Sequence, residues 1–274
     1  MEWRSLGASG IRIPAVGLST SGTFDVTGKE AQVARSSLVK TALSRATPLF
    51  HVSGDAGEGQ RILGAATIGD RSRCIIATSV GDPDWRAGQR QIDRALHYFD
   101  GRIDLVAIRG SAHRSRYLST LERLRRAGAV RAIGLAIYSD EDMNAIASSL
   151  PVLDIDYLEI PYNPLCRSVG ERLLPAAREL GLGVLATHPF AGGRLARVHP
   201  PSRSLAQFSA FDSGNWPDIL LKWALSEPAV TGVVAGSRKP AHIARNASAG
   251  EPWFTPAVRD EVTAIVRRMI RRSR

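Results

Sequence analysis

Four lysines, two cysteines and no apolar run near the roughly 20 residues that span a bilayer are the first constraints read from this 274-residue chain. Without a spanning segment, and without an apolar core behind Met1-Glu2-Trp3-Arg4 to make a signal peptide, the expectation is a cytoplasmic protein with no membrane partner. Cys74 and Cys166 stand far apart without metal-ligand spacing, so the reading is two reduced, buried thiols rather than a disulfide framework, and no metal site. The scarcity of lysine matters because 36 Lys+Arg oppose 26 Asp+Glu, a formal charge of +10 that is carried almost wholly by arginine. A basic chain has to be tested as a nucleic-acid binder. Its densest cluster, Arg267, Arg268, Arg271, Arg272 and Arg274, closes a helix-like segment that starts at Ala257, where the helix dipole favours cations. No aromatic or glycine-rich binding motif accompanies it, so it reads as a solvated helix end and nucleic acid is not an expected partner.

Short apolar runs alternate with longer amphipathic segments along the whole chain, the pattern of parallel strands joined by crossover helices. The runs fall at Ala15-Ser19, Leu49-Val52, Cys74-Ser79, Ile103-Ile108, Val130-Leu135, Ile155-Glu159, Val184-Ala186 and Thr231-Val234. Between them, Lys29-Arg45, Glu58-Ala66, Ala87-Tyr98, Tyr117-Arg126 and Gly170-Leu180 repeat apolar residues every three or four positions. Eight such units in a chain of this length predict an α/β fold, one (β/α)8 TIM barrel over residues 1-274, since such barrels run to about 250 residues as a single domain. A hairpin of Glu2-Leu6 and Ile11-Pro14 around Gly7 and Gly10 is expected to close its floor, and the segment from Ala257 is an extra C-terminal helix. Ser139 followed by Asp142 predicts a capping box. Pro189-Ser213 is the one long break in the alternation. At the C-terminal end of a barrel strand it would overhang the site, unless it is a variable surface excursion.

Several stretches resemble the aldo-keto reductases, in order and over nearly the full length. They are Glu2-Trp3-Arg4-Ser5-Leu6-Gly7 through Val16-Gly17-Leu18-Ser19-Thr20, Ala127-Gly128-Ala129-Val130-Arg131-Ala132-Ile133-Gly134, Tyr162-Asn163-Pro164-Leu165, Leu174 through Ala186, and Val233-Val234-Ala235-Gly236-Ser237-Arg238. The resemblance implies a reductase with an Asp, Tyr, Lys and His tetrad, yet all four positions differ. Where the family has Phe-Asp-Thr-Ala and then its tyrosine, this chain has Phe50-His51-Val52-Ser53-Gly54-Asp55-Ala56-Gly57, which puts His51 for the aspartate and Ala56 for the tyrosine. Ser79 replaces the lysine and Arg109 the histidine, while Tyr98, Tyr117 and Tyr138 fall away from the tetrad tyrosine's position. The family's nicotinamide contacts are changed too, to Ala136, Ile137, Glu159 and Thr187. Its phosphate contacts persist: Gly192 and Gly193 in Pro189-Phe190-Ala191-Gly192-Gly193, then Gly236, Ser237, Arg238 and Lys239 before Pro240, with Asn246 at the adenine position, so NADP(H) remains an open cofactor. The alternative is that Gly236 and Pro240 only make the turn.

Loss of a tuned phenol removes a proton donor worth on the order of 10²–10⁴ in rate, so ordinary reductase activity is not expected. In its place His51, Asp55, Glu58, Arg109, Glu159 and His188 form an ionisable set at the barrel mouth. The favoured reading is a redox-neutral enzyme needing no cofactor, performing elimination, isomerisation or cyclisation. There His51 is general acid or base, Arg109 binds a carboxylate or oxyanion, and His188 or Asp55 makes the second proton transfer. Glu159 completes the set. The expected partner is a small molecule bearing a carboxylate or phosphate. Two alternatives stand beside it: an NADP(H)-dependent carbonyl oxidoreductase with a donor rebuilt on His51, and a non-catalytic NADP(H)-binding module or partner subunit.

Overall fold

The computed structural model describes residues 1–110, 112–146, 149–213 and 215–272; Arg274 of the C-terminal cluster lies outside them. Each apolar run becomes a strand, displaced by at most two residues from its sequence reading. The floor hairpin pairs β1 (Trp3–Ser5) with β2 (Arg12–Pro14), and the barrel follows as β3 (Val16–Ser19), β4 (Leu49–Ser53), β5 (Ile75–Val80), β6 (Ile103–Arg109), β7 (Val130–Ala136), β8 (Tyr157–Pro161), β9 (Gly183–Thr187) and β10 (Gly232–Gly236). All eight barrel pairings are parallel and β10 closes on β3. The period-two alternation of a strand then divides the apolar residues between two cores. Leu49, Ile75, Ala77, Leu105, Ala107, Ala132, Tyr157, Leu185 and Val234 fill the barrel interior, with Leu6, Ile11 and Ile13 of the hairpin packed beneath them. Phe50, Val52, Ile76, Val106, Ile108, Leu158, Ile160 and Val233 face the helices. The same alternation carries His51, Arg109, Glu159, Thr187 and Gly236 upward from interior positions to the barrel's C-terminal mouth.

The helices start and stop near their sequence positions: Lys29–Ser44, Gly57–Thr67, Trp85–Tyr98, Arg114–Arg126, Ser168–Glu179 and Pro256–Arg272. Asp84 caps the third of these, its carboxylate accepting from the N–H groups of Arg86 and Ala87. Of the box read at Ser139, one half forms: Asp142 N–H donates to Ser139 Oγ at 3.0 Å, while the Ser139 hydroxyl donates to the Asp142 carboxylate, drawing it away from the return bond. The segment 189–213 is more structured than a loop reading implies. It folds a short helix at Ser202–Ala206 and a 3-10 turn at Ser209–Phe211, and it is tied down by Phe208 and Phe211 against Phe254 and by Trp216 Nε1–H donating to Leu195 O at 2.9 Å. Cys74 is buried as expected, but Cys166 is only half-buried. Among the described residues no helix is long and apolar enough to cross a membrane, and no group of His, Cys, Asp and Glu has metal-holding geometry.

Candidate functional site

A cavity of about 810 Å³ opens at the C-terminal end of the barrel, within the range that holds small-molecule ligands. His51, Ser53, Arg109 and Tyr138 line one side of it; Phe190, Gly192, Gly193 and Gly236 line the other, with Thr187, His188 and Pro189 between. The segment after β9 thus contributes its first residues to the cavity wall. Its backbone turns sharply there: His188 and Ala191 have φ of 53° and 48°, a left-handed conformation that non-glycine residues adopt at a cost, and Gly192 and Gly193 continue it at 65° and 88°.

Beneath the cavity lies a buried knot of three ionisable side chains. Glu159, wholly buried on β8, accepts a hydrogen bond on Oε1 from the Tyr138 hydroxyl and meets His51 Nε2, on β4, at the same oxygen at 3.0 Å. Burial alone would raise the Glu159 carboxyl; the positive charge and hydrogen bond of His51, then the Tyr138 hydroxyl, outweigh it and hold the group below its usual range. An ionised carboxylate can only accept, so His51 Nε2 carries the proton in this pair and Nδ1 is left as the working nitrogen. Nδ1 is buried and unpartnered, as are Ser21 Oγ and Arg109 Nε, all three on residues that line the cavity. Unsatisfied polar atoms are costly in a protein interior, and these three are donors or acceptors that a polar ligand or water could meet.

Tyr138 is the residue the sequence left out. It falls two positions past the end of β7, where the chain has left its strand register and no alternation predicts its direction. Its phenol is pushed far above the usual range by burial and by the Glu159 charge, the reverse of what a lysine neighbour does. No lysine lines the cavity among the described residues. His188 donates or accepts at Nδ1 with Thr187 Oγ1 at 3.0 Å and presents its ring edge to Tyr138, centroids 6.0 Å apart. Burial, then the His51 charge, holds its pKa below the ordinary histidine value, so it is neutral at neutral pH.

The other expected residues divide. Arg109 ends β6 and bonds Asp55 Oδ2 through Nη1 at 3.2 Å; Asp55 itself is 61% exposed and stands outside the cavity lining. Burial would raise its carboxyl, but the hydrogen bond from Ser53 and the Arg109 charge outweigh that and hold it below its usual range. Glu58 does not join the site: it pairs with Arg61 three residues on along its own helix. Gly192, Gly193 and Gly236 line the cavity, whereas Ser237, Arg238, Lys239 and Asn246 do not. Arg238 is exposed and reaches Gly22 O at 3.3 Å, and the Lys239 N–H is already engaged by Ser237 Oγ at 3.1 Å. Asn246 is 6% exposed, packed at the end of its helix.

The barrel agrees with what the chain is similar to. The family model for the aldo/keto reductase family matches residues 61–267. An aldo-keto reductase of Bacillus subtilis is 25% identical over a 304-residue alignment covering 89% of this chain and 87% of that protein. A D-threo-aldose 1-dehydrogenase from Pseudomonas is 25% identical over 192 residues, 63% of this chain; the match spans little more than half, 56%, of that enzyme. Among solved structures, an aldo/keto reductase from Klebsiella pneumoniae in complex with NADP and acetate superposes with a TM-score of 0.80 at 18% identity, covering 98% of this chain and 96% of that one. The glycerol dehydrogenase from Gluconobacter oxydans gives 0.79 at 17%, covering 98% and 96%. Identities this low show the fold alone. These relatives carry the names of reductases and dehydrogenases, and redox-neutral chemistry finds no support among them.

Proposed function

Because this chain belongs to the aldo/keto reductase family, we propose that it is an NADP(H)-dependent oxidoreductase interconverting a carbonyl and an alcohol, with its proton donor rebuilt on His51. The observation that carries the proposal is the His51–Glu159 pair: a buried imidazole fixed at one nitrogen by a carboxylate, with its second nitrogen unpartnered on a residue of the cavity wall. In the doubly protonated ring Nδ1–H gives its proton to the developing alkoxide; in the singly protonated ring Nδ1 takes the hydroxyl proton in the reverse direction. Glu159 sets the tautomer and balances the charge, as a carboxylate does behind a catalytic histidine generally. Tyr138 is a positioning residue. Its hydroxyl is directed at Glu159, and its raised pKa makes it a poorer acid than free phenol.

The residues present fit the phosphate end of a dinucleotide. Gly192 has nothing within 4 Å of where a Cβ would stand, Gly193 and Gly236 have only ordinary contacts at 3.6 Å, and Ser21 Oγ waits unpartnered in the same cavity wall. Gly192, Gly193 and Gly236 would hold the pyrophosphate region, with Arg238 and Lys239 outside the lining to meet a 2′-phosphate. Bound there, NADPH supplies the hydride. On the protein's side the chemistry is the His51 proton.

The test is NADPH consumption by the purified chain with a panel of small carbonyl compounds, beside a fluorescence titration of NADPH. His51→Ala is expected to lower kcat by about 10²–10⁴ while NADPH binding is unchanged. Tight NADPH binding with no turnover of any carbonyl, or full activity in the variant, would overturn the proposal.

A further inference from the structure

Arg109 is the one lysine or arginine lining the mouth cavity among the described residues, and the proton-donor role makes no use of it. Its guanidinium is only partly engaged: Nη1 meets Asp55, while Nε is buried without a partner. The second carboxylate near the mouth, Glu159, is engaged at Oε1 by His51 and Tyr138, and Arg109 makes its ion pair with Asp55 instead. We propose that the substrate carries a carboxylate close to its reacting carbonyl, a 2-oxo acid or the corresponding 2-hydroxy acid, and that Arg109 receives this carboxylate in exchange for Asp55. The inference rests on reading the same site as that of a carbonyl oxidoreductase.

Three observations support it. A guanidinium presents its N–H groups as a planar fork matched to a carboxylate, and Asp55 meets only Nη1 of this one, while Nε is buried and unpartnered. The bond it would give up is a cheap one, since Asp55 is well exposed and a surface pair has little net worth in water. A ligand carboxylate bound in the less polar cavity, walled also by Phe190, Val234 and Pro161, is more strongly held by the same charge. Asp55, relieved of Arg109, keeps the hydrogen bond from Ser53 Oγ. The pair therefore acts as a latch that an anionic substrate displaces and a neutral one does not.

The measurement is calorimetric titration of the native chain with phenylglyoxylate and with its isosteric neutral amide, phenylglyoxylamide. The acid is expected to bind at least tenfold more tightly, roughly the effect of one charge-assisted hydrogen bond. The preference should weaken with salt and vanish in Arg109→Gln. Asp55→Asn should tighten the acid several-fold and leave the amide alone. Equal binding of acid and amide, or a preference that survives Arg109→Gln, overturns the inference. Should that variant fail to fold, Asp55→Asn, on an exposed loop position, decides: tightened acid binding upholds the latch and unchanged binding refutes it. These titrations need no nicotinamide, so acid that binds but is never reduced in the presence of NADPH defeats the oxidoreductase reading alone. Reduction of acid and amide with equal KM defeats the carboxylate inference alone.

Discussion

The cavity gathers ionisable side chains in one part of its lining and glycines in another. His51, Arg109, Tyr138 and the buried Glu159 behind them form the first; Gly192, Gly193 and Gly236 mark the second, beside Phe190 and Pro189. The chemistry of the first wall depends on which atoms stand at inward positions of β4, β6 and β8. A substitution there leaves strand pairing untouched, as the regular registers of these strands attest. The second wall depends on left-handed φ at Gly192 and Gly193, which few residue types adopt. A barrel mouth can thus exchange its ionisable side chains by point changes while its glycine turns stay as they are.

The comparison breaks most readily at Glu159. Glu159→Ala leaves His51 charged or unpaired in the interior and strands the Tyr138 hydroxyl, so unfolding in denaturant should show a loss of about 3–5 kcal/mol. A stability unchanged by this substitution would mean the knot is not the keystone of its wall. Tyr138→Phe is milder. It removes one donor to a buried carboxylate, for about 1–3 kcal/mol of stability, and because this phenol is the wrong acid the variant should keep kcat within tenfold of native. A collapse of activity there would make Tyr138 the donor after all.

On the backbone wall a single side chain should matter less. Arg238→Gln is expected to weaken NADPH by about 1 kcal/mol, some fivefold, as befits one exposed charge, and to leave NADH unaffected; titration with both dinucleotides separates the effects. The smallest effect is in pH. His188, its pKa depressed by burial, stays neutral in the fold, while the unfolded chain takes up its proton near pH 6.5. Stability from this group is therefore complete above that pH and declines as pH falls below it. Glu159, also depressed, adds a second decline below about pH 4.5. His188→Gln should flatten the first limb of a stability-against-pH curve and leave the second.

Much of this architecture was legible beforehand because a barrel writes itself in two periods. The apolar runs located eight strands, and His51, Arg109 and Glu159, in or directly after those runs, were read at the mouth, where the structure places them on interior positions. Pairing was not legible. Nothing in the sequence says that His51 and Glu159, 108 positions apart, share a hydrogen bond across the barrel, or that Asp55 would answer Arg109 rather than act on a substrate. Tyr138 escaped because it stands on a loop, where direction is set by packing instead of by period. Glu58, by contrast, was read into the site from proximity in sequence, and a helical neighbour at i+3 claimed it. The residues read at the tetrad positions argued against redox chemistry, whereas family membership supports an oxidoreductase.

The floor hairpin has a consequence for traffic. With Leu6, Ile11 and Ile13 wedged under the interior residues, the barrel is a well with a sealed base, and everything that reacts in it shares one opening. A ligand that reaches the interior side chains enters and leaves by the C-terminal mouth, and any proton His51 exchanges with solvent has to travel by the same end.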